Sequence, residues 1–265
     1  GFVGGEGLEQ LLVAARAEQR LVGILNGCYY NGPKGRRPSW QRILNLVAEQ
    51  LAAWPESEAH RIAAETLDGL PKRRPEFVLT SIGRLVRQKA SLFFEQVGPG
   101  LSAIDQILEQ LGRQGVLILV GTGEPEFETK MREAARRHRN LLFLCGYSET
   151  LAEPLYSAGD LFLMPSSFEP CGISQMLAMR ATQPCVVHGV GGLRDTVDDD
   201  YSGFVFNGDT PLRQARNFVA TVDRALTLKA EDNDMWQKIC IRAAGVRFSW
   251  DKSARATVEQ LYGIA

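Results

Sequence analysis

Short apolar runs alternate with amphipathic stretches over most of the chain after Glu76. Continuous apolar runs separated by helical patterns are typical of parallel strands that are covered on both faces. The pattern therefore predicts an α/β fold with a Rossmann-like, doubly wound parallel sheet of about six strands, followed by C-terminal helices. The six predicted strands are Phe77 to Ile82, Val116 to Val120, Leu141 to Cys145, Leu161 to Met164, Cys185 to His188 and Phe204 to Phe206, and the three final helices are Pro211 to Lys229, Asn233 to Ala244 and Trp250 to Tyr262.

The first 75 residues follow a different pattern. Gly7 to Glu18 has the spacing of an amphipathic helix, and the apolar run Leu21 to Leu25 predicts a strand that ends at a turn. Residues 31–75 contain two basic, proline-rich clusters, which flank helical patterns over Trp40 to Trp54 and Glu58 to Leu67. Because no aromatic platform accompanies the basic clusters, we interpret them as solvated linkers and not as nucleic-acid contacts.

Charge and cysteine content exclude several classes of protein. Thirty basic against 31 acidic residues give a net charge of -1, so no overall field attracts nucleic acid or an anionic membrane. No apolar run is long enough to cross a bilayer, and the five cysteines contain no C-x-x-C pair. We therefore expect a reduced, cytoplasmic protein without nucleic-acid or membrane partners. The chain begins at Gly1 and not at a methionine, so we also expect a fragment of a longer protein.

Residues suited to binding an anion follow the predicted strands. In doubly wound sheets, ligands bind at the carboxyl ends of the strands, so these loops should converge on one edge. Arg84 and Lys89 supply a planar guanidinium and a mobile ammonium group, which together suit a diphosphate. The candidates from the other loops are Gly121 and Thr122, Tyr147, the segment from Glu169 through Cys171 to Ser174, and Gly191 with Gly192.

The segment after the fourth predicted strand holds an acid next to a predicted anion site. Pro165 ends the strand, Glu169 follows, and helical spacing begins near Ile173. The amide groups of Gly172, Ile173 and Ser174 would then be unpaired donors at a helix N-terminus, where an anion is favoured. An ordinary strand-to-helix loop with a solvated Glu169 is the competing interpretation. A nucleoside diphosphate that acts as a leaving group needs its negative charge balanced. Fixed cations and amides could do this without a metal.

Two other kinds of binding site lack their characteristic sequence patterns. Neither Gly121-Thr122-Gly123 nor Gly189-Val190-Gly191 has the third glycine of a dinucleotide fingerprint, which argues against a nicotinamide enzyme. The acidic groups 198–200 and 232–234 lack the spacing of a metal loop, so we interpret them as turns or helix caps and predict no metal site. Tyr147 could stack on a nucleobase or simply line a wall.

Several motifs resemble the C-terminal, nucleotide-sugar-binding domain of bacterial glycogen and plant starch synthases, which are retaining glycosyltransferases of the GT-B fold. The motifs are Gly83-Arg84-Leu85 with Gln88-Lys89, Gly121-Thr122-Gly123-Glu124-Pro125, Phe168-Glu169-Pro170-Cys171-Gly172, Gly191-Gly192-Leu193-Arg194-Asp195-Thr196-Val197 and Ser202-Gly203-Phe204. Ile24 to Gly27 and Phe248 to Trp250 also match, whereas residues 31–75 do not. An insertion, Ala90 to Pro99, separates Lys89 from the following helix.

The resemblance implies a division of the chain and a role for each loop. Residues 1–30 would be an interdomain segment, 31–75 a linker or helical insertion, 76–248 the donor-binding domain and 249–265 a C-terminal crossing helix. Arg84 and Lys89 would hold the donor diphosphate, and Glu169 would lie at the sugar. Cys171 and the amides of residues 172–174 would line the sugar and phosphate pocket, with Tyr147 near the base.

The implied reaction is transfer of glucose, with retention, from a nucleoside-diphosphate glucose to the non-reducing end of an α-1,4-glucan. The resemblance favours ADP-glucose over UDP-glucose, requires no cofactor or metal, and implies an N-terminal acceptor domain outside this chain. We therefore expect the chain alone to bind donor but to transfer little. Two alternatives stay open: a retaining GT-B enzyme with a small acceptor, and a non-catalytic module that binds sugar nucleotides or glucan.

Overall fold

The computed structural model describes residues 7–30 and 37–263. The chain forms two compact units, one of Gly1–Asn31 with Phe248–Ala265 and one of Gly32–Arg247. Only the larger unit contains β-strands among the described residues. No helix in the described part of the chain is long and apolar enough to cross a membrane.

Eight strands and twelve helices make up the described residues. The strands are β1 (Phe77–Ile82), β2 (Gln96–Gly98), β3 (Leu101–Ser102), β4 (Gly115–Gly121), β5 (Leu141–Cys145), β6 (Leu161–Met164), β7 (Cys185–His188) and β8 (Phe204–Phe206). The helices are α1 (Glu9–Ala17), α2 (Trp40–Ala53), α3 (Glu58–Gly69), α4 (Arg87–Phe94), α5 (Ala103–Leu111), α6 (Pro125–Arg137), α7 (Glu149–Ala158), α8 (Ser174–Arg180), α9 (Gly191–Arg194), α10 (Pro211–Glu231), α11 (Asn233–Gly245) and α12 (Trp250–Leu261).

Six of the strands form one parallel sheet in the order β5-β4-β1-β6-β7-β8. These are the six strands that the apolar runs predict, and their bounds agree with the prediction to within one residue. Every residue of β1, β4, β6 and β7 is buried, which explains why these strands read as continuous apolar runs and not as alternating ones. The predicted α/β, doubly wound sheet is thus confirmed.

The insertion after Lys89 forms structure that the sequence pattern did not reveal. Residues 87–94 are helical, so Lys89 lies in the first turn of α4, and β2 and β3 then form a short antiparallel hairpin. Neither Gln96–Gly98 nor Leu101–Ser102 is a continuous apolar run, which is why the hairpin was missed. The hairpin leads into α5, whose N-terminus is closed by a reciprocal capping box of Ser102 and Asp105.

The segment 37–75 is part of the larger unit and packs on the sheet. Its two helices, α2 and α3, match the predicted helical patterns, and Ser39 and Ser57 cap them. The cluster over 31–36 lies outside the described residues. At the end of the segment Arg74 forms an ion pair with the buried Asp160 (2.8 Å), and Arg37 does the same from its start (2.8 Å). These basic residues are therefore partners of a buried acid, which corrects their interpretation as solvated linkers.

In the smaller unit, helices α1 and α12 have no buried residue. Phe248 joins the two ends of this unit, since its amide donates to Tyr30 Oη (2.9 Å) and its carbonyl accepts from the amide of Cys28 (2.7 Å). The predicted strand over residues 21–25 is wrong: this stretch has no ladder partner, and Leu21 and Val22 are exposed. An apolar run alone does not supply the neighbouring backbone that a strand needs.

Candidate functional site

Arg84, Lys89 and Glu169 lie where the strand order reverses. The chain passes from β1 to β4 and β5 on one side, and then returns to place β6, β7 and β8 on the other side of β1. The loops that follow β1 and β6 therefore leave the sheet from adjacent strands, at the position where open α/β sheets bind ligands. The β1 loop carries Arg84 and Lys89, and the β6 loop carries Glu169.

Glu169 and Lys89 form an ion pair at this position. Lys89 Nζ lies 3.1 Å from Glu169 Oε2, and the carboxylate is 7% exposed while the lysine side chain is 22% exposed. Lys89 therefore reaches Glu169 from the first turn of α4, although an insertion follows it in the sequence. An ion pair this shielded from water interacts more strongly than one on the surface, so it orders both side chains.

Backbone contacts hold the β6 loop against the start of α4. The carbonyl of Gln88, the residue before Lys89, accepts hydrogen bonds from both the amide (2.8 Å) and the hydroxyl (3.1 Å) of Ser167. The buried Ser166 donates its hydroxyl to Glu169 Oε2 (3.4 Å). The acid and the cation are therefore fixed by the same pair of loops.

Gly191 and Gly192 lie behind the loop that carries Glu169. The amide of Gly192 donates to the carbonyl of Glu169 (3.0 Å), and a side chain at Gly192 would overlap the backbone of Cys171. Gly191 has φ +45°, and a side chain there would overlap the Glu169 carbonyl. These glycines allow close backbone approach, so the structure gives them a supporting contact with the loop. Their predicted contact with the donor stays a prediction.

Residues 172–174 lead into α8 as predicted. The helix begins at Ser174, no side chain caps it, and Gly172 has φ +75°, a conformation that favours glycine. Among the described residues, none of the amides of residues 172–174 donates a hydrogen bond to the protein. The buried Gln175 supports this turn by donating to the carbonyls of Cys171 and Gly172, both at 3.1 Å. The turn thus presents three amide donors next to Glu169.

Arg84 and Tyr147 are exposed at the same edge of the sheet. Arg84 follows β1 and, with Lys89 and Ser166, lines a small cleft of about 30 Å³. Tyr147 follows β5 and is 63% exposed, so its ring is free to stack on a planar group. The ring of Trp54, from the end of α2, packs on the backbone of Gly146 next to it. The segment 37–75 thus reaches this end of the sheet.

Gly121 and Thr122 make contacts within the protein. A side chain at Gly121 would overlap the carbonyl of Gly83, so this glycine permits the β1 and β4 loops to touch. Thr122 donates its hydroxyl to Glu128 (2.5 Å), which also accepts from the amide of Gly123 (2.8 Å). Burial raises the pKa of the nearby Cys145 thiol to about 11, and the Glu128 carboxylate adds to this shift. The predicted donor contacts of Gly121 and Thr122 stay predictions.

Sequence reasoning missed three polar residues that build the site: Ser166, Gln175 and His188. Ser166 and His188 stand at the carboxyl ends of β6 and β7, which is the signal that could have found them. The acidic groups behave as predicted, since Asp232 caps α11 and Asp199 accepts from Val205 in a turn. No group of three potential metal ligands is present among residues 7–30 and 37–263.

A larger cavity, of about 270 Å³, lies between α3 and α6 and contains none of the predicted residues. Arg61, Arg136 and Arg139 line it, and Arg136 is paired with Glu58. Arg136 is in the last turn of α6 and Arg139 follows it, where basic residues compensate the partial negative charge of the helix end. Glu58 and Glu65 also line this cavity, so its acids and cations belong to helix surfaces and not to the loops that follow the strands.

Comparison with known proteins identifies the family. The family described as glycosyl transferases, group 1, matches residues 76–227, which include all the loops of the site. The chain belongs to the group 1 glycosyltransferases. The glycogen synthase of Anaeromyxobacter sp. is 37% identical over 267 residues, with 98% of this chain and 51% of the relative covered. This glycosyltransferase chain therefore spans about half the length of the curated relatives it matches, and the resemblance to glycogen and starch synthases is confirmed.

Solved structures show the same fold. The catalytic domain of starch synthase IV from Arabidopsis thaliana, bound to ADP and acarbose, matches with a TM-score of 0.69 and 24% identity, covering 98% of this chain and 52% of that one. HepE of Anabaena, in complex with UDP-glucose, matches with a TM-score of 0.56 and 21% identity, covering 80% and 54%. Both matches support the GT-B assignment of the glycosyltransferase sheet.

Proposed function

We propose that this chain is the donor-binding, C-terminal half of a glycogen or starch synthase. The longer protein transfers glucose from a nucleoside-diphosphate glucose to the non-reducing end of an α-1,4-glucan, with retention. The observation that carries the proposal is the Glu169–Lys89 ion pair beside the free amides of residues 172–174, at the switch point of the sheet. ADP-glucose is the proposed donor, a choice supported by the similarity to glycogen synthases, and the proposed location is the cytoplasm.

In the proposed binding mode, cations and backbone amides bind the diphosphate of the donor, and an aromatic ring binds its base. Arg84, Lys89 and the amides of residues 172–174 hold the diphosphate, and Tyr147 stacks on the base. Fixed positive groups are already aimed at the oxygens on which charge develops as the diphosphate leaves. They do the work that a metal ion does in other transferases, so no metal is needed in this proposal.

Glu169 is proposed to act at the sugar. Its carboxylate is held by Lys89 and Ser166, and its own carbonyl is held by Gly192. A fixed negative charge stabilises the positive charge that develops at the anomeric carbon as the leaving group departs. Such an interaction strengthens in the transition state, so its loss should lower turnover more than donor affinity.

The test is Glu169→Gln in the full-length protein. We expect kcat for glucan elongation to fall at least about 100-fold, in the range found when one stabilising group is removed from a transition-state site, while ADP affinity stays within about threefold. Glu109→Gln, an exposed change in α5, is the matched control and should leave both values unchanged. Equal losses in kcat and ADP affinity would show that Glu169 only binds the donor or supports the loop. An unmodified protein that fails to elongate glucan would contradict the proposed function.

A further inference from the structure

His188 is a buried histidine at the carboxyl end of β7, and it faces the loop that carries Glu169. Only 3% of it is exposed. Its ring stacks on Phe206 at 4.9 Å between centroids, with the planes 5° apart, and its Nδ1 lies 3.0 Å from the carbonyl oxygen of Ser166. The contact with Ser166 orients the ring, and the stacking buries one of its faces.

The contact with Ser166 determines the protonation of the ring. A carbonyl oxygen can only accept a hydrogen bond, so Nδ1 must carry the proton and donate it. Burial lowers the pKa of His188, which favours the neutral ring with its single proton on Nδ1. His188 is therefore a fixed donor to the backbone of the β6 loop.

Ser166 connects this donor to the acid. The carbonyl of Ser166 accepts from His188, while its hydroxyl donates to Glu169 Oε2 at 3.4 Å. Ser166 is only 1% exposed, so water cannot replace either bond without rearrangement of the loop. His188 is thus linked to the carboxylate through one intervening residue.

We propose that His188 is a positioning residue that holds Ser166, and through it the Glu169 carboxylate, in the geometry that the transfer reaction needs. This inference rests on the proposed function, because it assumes that Glu169 acts at the sugar. Packing alone does not account for the residue: a phenylalanine would stack on Phe206 as well, but it would leave the buried Ser166 carbonyl without a donor. An unpaired buried acceptor is costly, so the loop would move to satisfy it.

The experiment compares variants of the full-length protein in glucan elongation and ADP binding. His188→Phe keeps the stacking and removes the donor, whereas His188→Asn removes the ring and keeps an N–H near the position of Nδ1. We expect His188→Phe to lower kcat about tenfold or more, with ADP affinity within about threefold, because the lost bond acts on Glu169 and not on the diphosphate. We expect His188→Asn to recover kcat to within about threefold of the parent.

Phe206→Leu is the control, since it removes the stacking partner without touching the hydrogen bond. It should lower the melting temperature and leave kcat largely unchanged. The proposal is overturned if His188→Phe turns over at the parental rate, if His188→Asn is as slow as His188→Phe, or if Phe206→Leu loses as much kcat as His188→Phe.

A double-mutant cycle with Ser166→Ala tests the connection even if His188→Phe folds poorly, since His188→Leu also removes the donor and can replace it in the cycle. If His188 acts through Ser166, the double variant loses less kcat than the product of the two single losses. Independent, multiplicative losses would contradict the proposed path. A parent protein without glucan elongation would instead contradict the proposed function, which keeps the two failures distinct.

Discussion

At the scale of single residues, close backbone approach determines where Glu169 can lie. The α9 turn touches the β6 loop directly, since the amide of Gly192 donates to the carbonyl of Glu169 and no room exists for a side chain between Gly192 and Cys171. The atoms in the way belong to backbone, which cannot rotate aside as a side chain can. The position of Glu169 is therefore sensitive to a single methyl group added at Gly192.

Gly192→Ala should displace the β6 loop. We expect a loss of stability of about 1–3 kcal/mol, as for other overpacked sites, and hence a lower melting temperature, together with weaker ADP binding by this chain. Gly245→Ala is the matched control, because nothing lies within 4 Å of a side chain at that position and alanine favours the helix that ends there. Unchanged melting temperature and ADP affinity in Gly192→Ala would show that the contact does not position the loop.

At the scale of elements, one buried acid ties the segment 37–75 to the sheet. Asp160 precedes β6, its side chain is 4% exposed, and it contacts Arg37, Arg74 and Lys229. Burial opposes ionisation of this carboxyl group, but the surrounding cations have the larger effect and hold the pKa of Asp160 below its usual range. Burial lowers the pKa of Lys229, and Asp160 offsets part of that shift.

Asp160→Asn should therefore destabilise the larger unit by about 1–3 kcal/mol at pH 7, because it leaves the partly buried Arg74 and Lys229 without their counter-charge. Since the pKa of Asp160 is depressed in the folded protein, its contribution is complete above the usual value of 3.8 and is lost as pH falls below it. Urea unfolding of both proteins from pH 7 to pH 3 measures this, and the difference between them should shrink in acid.

Asp209→Asn, which breaks the exposed pair with Arg213, is the control and should cost less than about 1 kcal/mol. If Asp160→Asn loses no more stability than Asp209→Asn, then Asp160 does not tie the segment 37–75 to the sheet.

Local sequence predicts some elements of this fold and not others. Short, continuous apolar runs predicted all six strands of the main sheet, because burial on both faces favours such a pattern on each strand separately. The run at residues 21–25 looks the same but forms no strand, since pairing depends on a partner that local sequence does not encode. Likewise, nothing in residues 37–75 revealed that Arg37 and Arg74 would meet Asp160 more than 80 positions away.

For the site, strand-end placement predicted which loops would converge, but it did not specify the Glu169–Lys89 ion pair. The sequence did not show that the glycines of the α9 turn also lie against the backbone of the β6 loop, and their predicted contact with the ligand stays a prediction. His188 and Ser166 escaped notice because their importance lies in a contact between the end of β7 and the loop after β6. Periodicity and motif spacing identify ligand-facing loops more readily than the residues that support them.

At the scale of the whole molecule, the smaller unit carries exposed apolar side chains on both of its helices. Leu11 of α1 is 68% exposed and Leu261 of α12 is 58% exposed, as expected for a segment that meets a further domain. The curated relatives are about twice as long as this chain. In our account the chain supplies the donor site, and the acceptor domain of the longer protein completes the active site.

The most direct test of this account is calorimetric titration of ADP into the chain in the presence of a metal chelator. We predict saturable binding of one ADP per chain, with at most a twofold change on adding magnesium. Lys89→Ala should weaken binding about tenfold or more, as expected for a lost charge-assisted bond, whereas Arg87→Ala, an exposed change on the same helix, should not. Binding that requires magnesium or manganese, or that is unaffected by Lys89→Ala, would contradict the account.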